Sequence, residues 1–203
     1  MISPLAQWTL YAYNLAVQAG EKIMHYYAQS TVATEYKSDN SPLTAADKAS
    51  HEILYQGLSQ FILDANGAAP VLSEEGEQIP FVERQRWQRY WCIDPLDGTR
   101  EFLDRNDEFA VNIALIENHQ PIIGIIYVPA KKLGYRAWHN GGAYRCDEKN
   151  VHRIITKHPA PQPLRIAISR HYEDTTLQPW LVNLGDTQIL RQGSAWKFGC
   201  LAS

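Results

Sequence analysis

Trp91-Cys92-Ile93-Asp94-Pro95-Leu96-Asp97-Gly98-Thr99-Arg100-Glu101-Phe102 is the stretch on which the reading of this chain turns. Its three leading apolar residues read as the end of a buried strand. Pro95 fixes its own φ and keeps Asp94 out of the helical region. The segment therefore passes from strand through a turn into a short helix. Asp94 and Asp97 can converge at that junction, with the backbone N–H groups of Gly98 and Thr99 at the helix start. Carboxylates aimed at one point repel unless a cation lies between them, and hard oxygen ligands suit Mg²⁺. A helix N-terminus beside them suits a phosphate. Taken alone, the same residues also fit a solvated turn in which Asp97 caps the helix.

Upstream, Leu5, Trp8, Leu15, Ala19, Ile23 and Tyr27 recur at helical spacing and predict an amphipathic helix from Pro4 to about Gln29, with Ser3 as N-cap. Thr34 to Lys37 reads as a short strand and Ser38 to Pro42 as a turn. Thr44-Ala45-Ala46-Asp47 has the capping-box form, which by itself accounts for Asp47. The helix it opens runs through Ile53, Leu54, Leu58 and Phe61 and is expected to stop at Ala65-Asn66-Gly67. Val71-Leu72-Ser73 is a short apolar strand that runs straight into Glu74 and Glu75. Adjacent acids of this kind usually mark a solvated loop.

Downstream, Phe109, Val111, Ile113 and Leu115 alternate with Ala110, Asn112 and Ala114, the period of a strand with one apolar face. Strands are expected at Pro121–Pro129, Gly134–Trp138 and Ala143–Arg145, with an Asn140-Gly141 hairpin turn. Short turns between sequential strands predict an antiparallel meander. Lys157 to Pro163 holds three prolines in seven residues and reads as a linker. It divides an N-terminal α+β unit, residues 1–157, which carries the antiparallel sheet and the acids, from the start of a C-terminal α/β subdomain, residues 158–203. The latter has a strand at Leu164–Ser169, a helix at Tyr172–Leu184, a strand at Thr187–Arg191 and a helix opened by Gly193. Gln192-Gly193-Ser194-Ala195-Trp196-Lys197 is a glycine turn leading into that helix, with a cation in its first turn. Such a turn either caps the helix or receives an anion.

The composition is that of an ordinary folded protein: 203 residues, 45% hydrophobic and 20% charged. A net charge of −3 argues against a broad nucleic-acid surface. Cys92, Cys146 and Cys200 are odd in number, far apart and without C-x-x-C spacing, so they imply neither a disulfide framework nor a zinc site. They fit a reducing cytosol. No signal peptide or transmembrane segment is expected from the N-terminal residues.

The whole run D-P-L-D-G-T-R-E-F at 94–102 resembles the signature of the Mg²⁺-dependent, lithium-sensitive phosphatases of the inositol monophosphatase superfamily. Its Arg-Glu-Phe ending is similar to the bacterial branch that hydrolyses 3'(2'),5'-bisphosphate nucleotides. S-P-L-T-A-A-D at 41–47 resembles the family segment whose aspartate assists the attacking water. Ser73-Glu74-Glu75 resembles a motif whose first Glu is a metal ligand and helps to position that water. Gly193-Ser194-Ala195-Trp196-Lys197 resembles a substrate-binding segment in which the lysine meets a phosphate. Ser169-Arg170 resembles the start of a nucleotide-contacting Ser-Arg-Ser-His loop, from which this chain departs at His171 and Tyr172.

The resemblance implies the sugar-phosphatase fold, a layered α/β sandwich. It implies two or three Mg²⁺ ions, with Li⁺ inhibitory. Catalytic roles fall on Asp47, Glu74 and Thr99. Metal ligands are Glu74, Asp94, the Leu96 carbonyl and Asp97. Substrate contacts are Glu74, Leu96, Asp97, Gly98, Thr99, Gly193, Ser194 and Lys197. The implied reaction is hydrolysis of the 3'-phosphate of adenosine 3',5'-bisphosphate to AMP and phosphate, in sulfur assimilation or nucleotide recycling. The partner is then a small nucleotide rather than a nucleic-acid polymer. The setting is the cytoplasm, in solution or peripheral at the inner face of the cell membrane. Other readings are an inositol monophosphatase or sugar bisphosphatase of the same superfamily, a non-catalytic phosphate- or nucleotide-binding protein, and a plain structural module. Relatives run some tens of residues further, to a W-D-x-A-A-G motif whose aspartate completes the second metal site. That motif is not found here, so the C-terminal part is expected to be truncated. Oligomeric state is not specified by the sequence.

Overall fold

The computed structural model describes residues 3–29, 34–36, 42–65, 67–160, 162–171 and 177–203. Helix α1 (Pro4–Tyr27) starts as expected, with Ser3 Oγ accepting the Ala6 N–H at 3.2 Å and Pro4 in the first turn. Its buried face is built from small residues, Ala12, Ala16, Ala19 and Gly20, with Leu15 and Ile23. Trp8 and Tyr27 sit partly buried around this stripe. Strand β1 (Thr34–Tyr36) pairs antiparallel with β2 (Pro42–Thr44), which leads directly into helix α2 (Ala45–Ser59). Residues 38–41 of the expected turn at 38–42, and the strand residue Lys37, lie outside the described residues, and Pro42 belongs to β2 rather than to a turn.

Helix α2 stops at Ser59, earlier than Ala65-Asn66-Gly67 would place it. The chain leaves the helix so that Leu63 enters the core on β3 (Ile62–Asp64). This strand turns back antiparallel onto β4 (Gly67–Ala68). Ala65 and Gly67 therefore serve a hairpin rather than a helix end, and Asn66 lies outside the described residues.

A seven-stranded sheet follows. Its strands are β5 (Val71–Ser73), β6 (Arg89–Asp97), β7 (Ala110–Glu117), β8 (Gln120–Val128), β9 (Leu133–Trp138), β10 (Gly142–Cys146) and β11 (Val151–Ile154). They lie in sequence order across the sheet. β6 through β11 form an antiparallel meander, of which β7 to β10 are the expected strands, and β5 is parallel to β6 after a crossover that carries α3 (Phe81–Arg84). Two features depart from expectation. β6 continues past Ile93 to Asp97, with its pairing to β7 interrupted between Asp94 and Asp97. Pro95 sits in that irregularity, where a missing N–H costs the ladder nothing. β11 was not expected, and only pairing with β10 makes Val151–Ile154 a strand.

Helices α1 and α2 cover one face of the sheet around Trp91, Ile93, Phe102, Phe109, Leu115 and Ile123, all fully or nearly fully buried. Between β6 and β7, α4 (Thr99–Leu103) carries Phe102 into this core. The opposite face presents Cys92, Ala114, Gly124 and Ala137 in cross-strand register. It faces α6 (Trp196–Ala202) across a cavity of about 790 Å³. Ahead of α6, β12 (Leu164–Ser169) pairs parallel with β13 (Thr187–Gln192), and α5 (Gln178–Leu181) precedes a 3₁₀ turn at Val182–Leu184. The expected helix at Tyr172–Leu184 is thus a single short turn of α-helix plus the 3₁₀ turn over its second half, and residues 172–176 lie outside the described residues. α6 begins at Trp196, later than Gly193, because Ser194 takes a left-handed conformation (φ 50°) that no helix continues. Among the described residues no helix is long and apolar enough to cross a membrane.

Candidate active site

The parallel pair β5–β6 brings the two acidic motifs together. Ser73 lies opposite Ile93, and the Glu74 N–H donates to Ile93 O at 3.2 Å. Glu74 leaves β5 beside Asp94, and the two carboxyl groups share a hydrogen bond. Burial, then the charges of Asp97 and Glu74, push the Asp94 acid up to about 8, although the Leu96 N–H (3.2 Å to Oδ1) works the other way. Ser73 Oγ holds the base of the acidic loop: it lies 2.8 Å from His51 Nδ1 on α2 and accepts the Glu75 N–H at 3.3 Å.

Gly98 turns the chain from β6 into α4 with φ 91°, a conformation that favours glycine. A side chain there would also press on Ser194. Thr99 is thereby set at the first helical position. Its Oγ1 lies 3.1 Å from Asp47 Oδ1 and 3.3 Å from Leu96 O, both acceptors for the one hydroxyl proton. Asp47 fulfils both readings of its motif. Its Oδ2 accepts the Thr44 N–H at 2.7 Å and the Thr44 hydroxyl, completing the capping box, while Oδ1 faces Thr99. Asp47 is fully buried. Burial raises its pKa, hydrogen bonds from Thr44 and Thr99 oppose that rise, and the Glu75 charge adds to it. Ser50, one turn further along α2, donates to Pro95 O at 2.7 Å and ties the helix to the motif.

Asp97 bridges β7 and the turn that follows β13. Its Oδ2 accepts Asn112 Nδ2 at 3.0 Å and the Ala195 N–H. The turn Gly193-Ser194-Ala195 therefore lies directly against the acidic motif. Lys197 does not reach it: Nζ donates to Ser194 O within its own turn and lies over the Phe198 ring. Among the sequence-derived candidates, Asp47, Glu74, Asp94, Leu96, Asp97, Gly98, Thr99, Gly193 and Ser194 share one neighbourhood, and Lys197 stands apart from the acids.

Three residues of this neighbourhood were not read from the sequence. Asn112 was legible in principle, as the one polar side chain in an apolar strand beside the acids. Glu101 and Glu108 sit in polar stretches that give no such signal. Both are buried, Glu101 against Gly193 and His171, Glu108 against Gly193 and Arg170.

Among the described residues no three acidic, histidine or cysteine side chains close on a single point. The charged neighbours of Asp94, Asp97 and Glu74, nonetheless offer oxygen donors alone. The strained Asp94 acid is the electrostatic deficit that a divalent cation relieves. These residues fit Mg²⁺ by donor chemistry.

Comparisons with known proteins identify the family. The sequence profile of the inositol monophosphatase family matches residues 5–195. The 3'(2'),5'-bisphosphate nucleotidase CysQ of Escherichia coli K12 is 43% identical over 191 residues, which span 94% of this chain and 74% of the relative. Its Salmonella typhimurium counterpart is 44% identical over 192 residues, with the same coverage of both chains. The crystal structure of CysQ from Bacteroides thetaiotaomicron superposes with a TM-score of 0.80 at 33% identity, covering 97% of this chain and 76% of that one. SuhB of Bartonella henselae superposes at 0.78 with 25% identity, covering 96% and 74%. Sequence, layered α/β fold and acidic site lead to one conclusion: the chain belongs to the inositol monophosphatase family.

Proposed function

We propose that this chain is a Mg²⁺-dependent phosphomonoesterase that removes the 3'-phosphate of adenosine 3',5'-bisphosphate, giving AMP and phosphate. The observation that carries the reading is the meeting of Asp97, in the acidic motif, with the turn Gly193–Ala195. An acidic cluster alone would repel a phosphate; cations held by the acids would offset that repulsion, and the turn stands beside the motif as a wall for the substrate. The relatives' nucleotidase activity supports the choice of substrate.

Glu74, Asp94 and the Leu96 carbonyl would hold one ion, and Asp94 and Asp97 a second. Bound Mg²⁺ supplies Lewis-acid stabilisation of charge on the phosphoryl oxygens. Thr99 Oγ1 stands where it can take a proton from the attacking water as its own proton passes to Asp47 Oδ1. Asp47, buried and raised in pKa, is suited to receive it. The Gly98 and Thr99 amides would orient the transferred phosphoryl group, and the Gly193–Ser194 turn the rest of the substrate. The partner is a small molecule, and the three free cysteines fit a cytoplasmic setting.

The test is phosphate release by the 203-residue chain from adenosine 3',5'-bisphosphate, inositol 1-phosphate and fructose 1,6-bisphosphate, with Mg²⁺ and with or without Li⁺. The expected result is Mg²⁺-dependent release, fastest from the nucleotide and suppressed by Li⁺. Faster release from either of the other two compounds would replace the substrate assignment.

A further inference from the structure

We propose that Glu108 is the positioning residue that sets the turn Gly193–Ala195 against the acidic motif, with Arg170 acting through it rather than on the substrate. The inference rests on the reading of that turn as part of the substrate site.

Three N–H groups from two distant segments converge on this one carboxylate. The Gly193 N–H donates to Oε2 at 2.8 Å, Arg170 Nε donates to Oε2 at 2.7 Å, and Arg170 Nη2 donates to Oε1. Glu108 is only 9% exposed, so the ion pair is shielded from solvent on the carboxylate side. Its backbone is fixed as well. The Glu108 N–H donates to Asn106 Oδ1 at 3.0 Å, and the next residue, Phe109, is fully buried among Tyr27 and Phe102.

The turn needs such a hold. Ser194 is left-handed at φ 50°, a conformation that costs a non-glycine residue about 1 kcal/mol. Gly193 has no room for a side chain, since a Cβ would fall 2.5 Å from Glu101 Cγ. Two carboxylates then grip alternate amides: Glu108 takes Gly193, and Asp97 takes Ala195. Asp97 belongs to the acidic motif. Glu108 is the hold that lies outside it, and its link to Arg170 couples the turn to the end of β12. Arg170 is thus committed through two donors to a carboxylate and is held away from a substrate anion by that pairing.

The test compares Glu108→Gln, Arg170→Gln and the double variant with the parent. Hydrogen exchange, followed by mass spectrometry over peptides covering 190–197, needs no turnover. Glu108→Gln should speed exchange there about tenfold while β7 and β8 keep theirs, because a hydrogen bond to a charged partner is worth roughly the 1.4 kcal/mol that a factor of ten represents. In turnover, KM for adenosine 3',5'-bisphosphate should rise about tenfold, with kcat and calorimetric Mg²⁺ affinity unchanged. The double variant should be no worse than Glu108→Gln, because the two residues act as one unit. Unchanged exchange over 190–197 in both single variants would overturn the inference. So would effects of the two substitutions that add, or a loss of Mg²⁺ affinity that matches the rise in KM. If the parent fails to hydrolyse the nucleotide, the substrate assignment falls, and the exchange data still decide the role of Glu108.

Discussion

Asp94 is where the cost of this site is concentrated. Its acid is held up to about 8 by burial and by the Asp97 and Glu74 charges, whereas in the unfolded chain it ionises near the ordinary value of about 3.9. Between those two values the folded chain keeps a proton that the unfolded chain has already lost. Stability must therefore fall as pH rises through that window. In chelator, Asp94→Asn should flatten this slope and raise Tm at pH 8 by about 2–4 °C or more, the shift that 1 kcal/mol makes in a chain of this size. The same substitution should abolish Mg²⁺-dependent phosphate release. Thermal melts at pH 5 and pH 8, paired with the release assay, check both halves. A variant that is inactive and also less stable at pH 8 would contradict the account. At this scale the acids were legible in the sequence because their spacing around Pro95 and Gly98 dictates a junction. Asn112 carries a signal as a polar side chain in an apolar strand, whereas Glu101 and Glu108 do not, because what recruits them is a partner from a remote segment, the turn at Gly193, which local sequence does not encode.

Among the elements, α2 shows how one signal can carry two roles. Thr44 caps the helix, and it also supplies two of the hydrogen bonds that hold Asp47 toward Thr99. Thr44→Ala should lower stability by about 1 kcal/mol through the lost cap. It should also lower kcat on the order of tenfold, because Asp47 loses an anchor on the side opposite Thr99. Thr44→Ser keeps the hydroxyl and should restore both. Melting temperature and kcat measured on the pair separate the effects, and normal turnover by Thr44→Ala would remove Asp47 from the proton path. The start of α2 was readable because a capping box is local chemistry. Its end was not, because the pull of Leu63 into the core outweighs the propensity of the following residues. β11 was missed for the same reason. Val151, His152 and Arg153 are exposed, and the segment is a strand only because β10 offers it an edge. The late start of α6 likewise depends on the left-handed Ser194, which the two carboxylates hold in place.

In the whole molecule, stability is unevenly shared between the seven-stranded sheet and the β12–β13 pair. The main core lies between the seven-stranded sheet and helices α1 and α2, and among the described residues it draws no buried member from beyond 127. The β12–β13 sheet has only two strands, and its surroundings leave Trp180 75% and Val182 78% exposed. Two strands without a substantial core are marginal, so this part should open at lower free energy than the rest. Glu108 fastens it to the main sheet. Burial alone would raise the pKa of Glu108, but Arg170 and the Gly193 N–H outweigh it and hold the acid below its ordinary range. A depressed acid contributes stability in full above its unfolded value of about 4.3 and loses it as pH falls through the lower folded value. Two results should follow. At neutral pH, brief thermolysin treatment should cut first beyond Ile154 and leave a fragment ending near Lys157. As pH drops below about 4, hydrogen exchange in 164–192, corrected for its intrinsic pH dependence, should accelerate before β7 and β8 respond. Early cuts within β6 to β9, or simultaneous loss of protection in both sheets, would show instead that the chain opens as a single cooperative unit and that Glu108 fastens nothing.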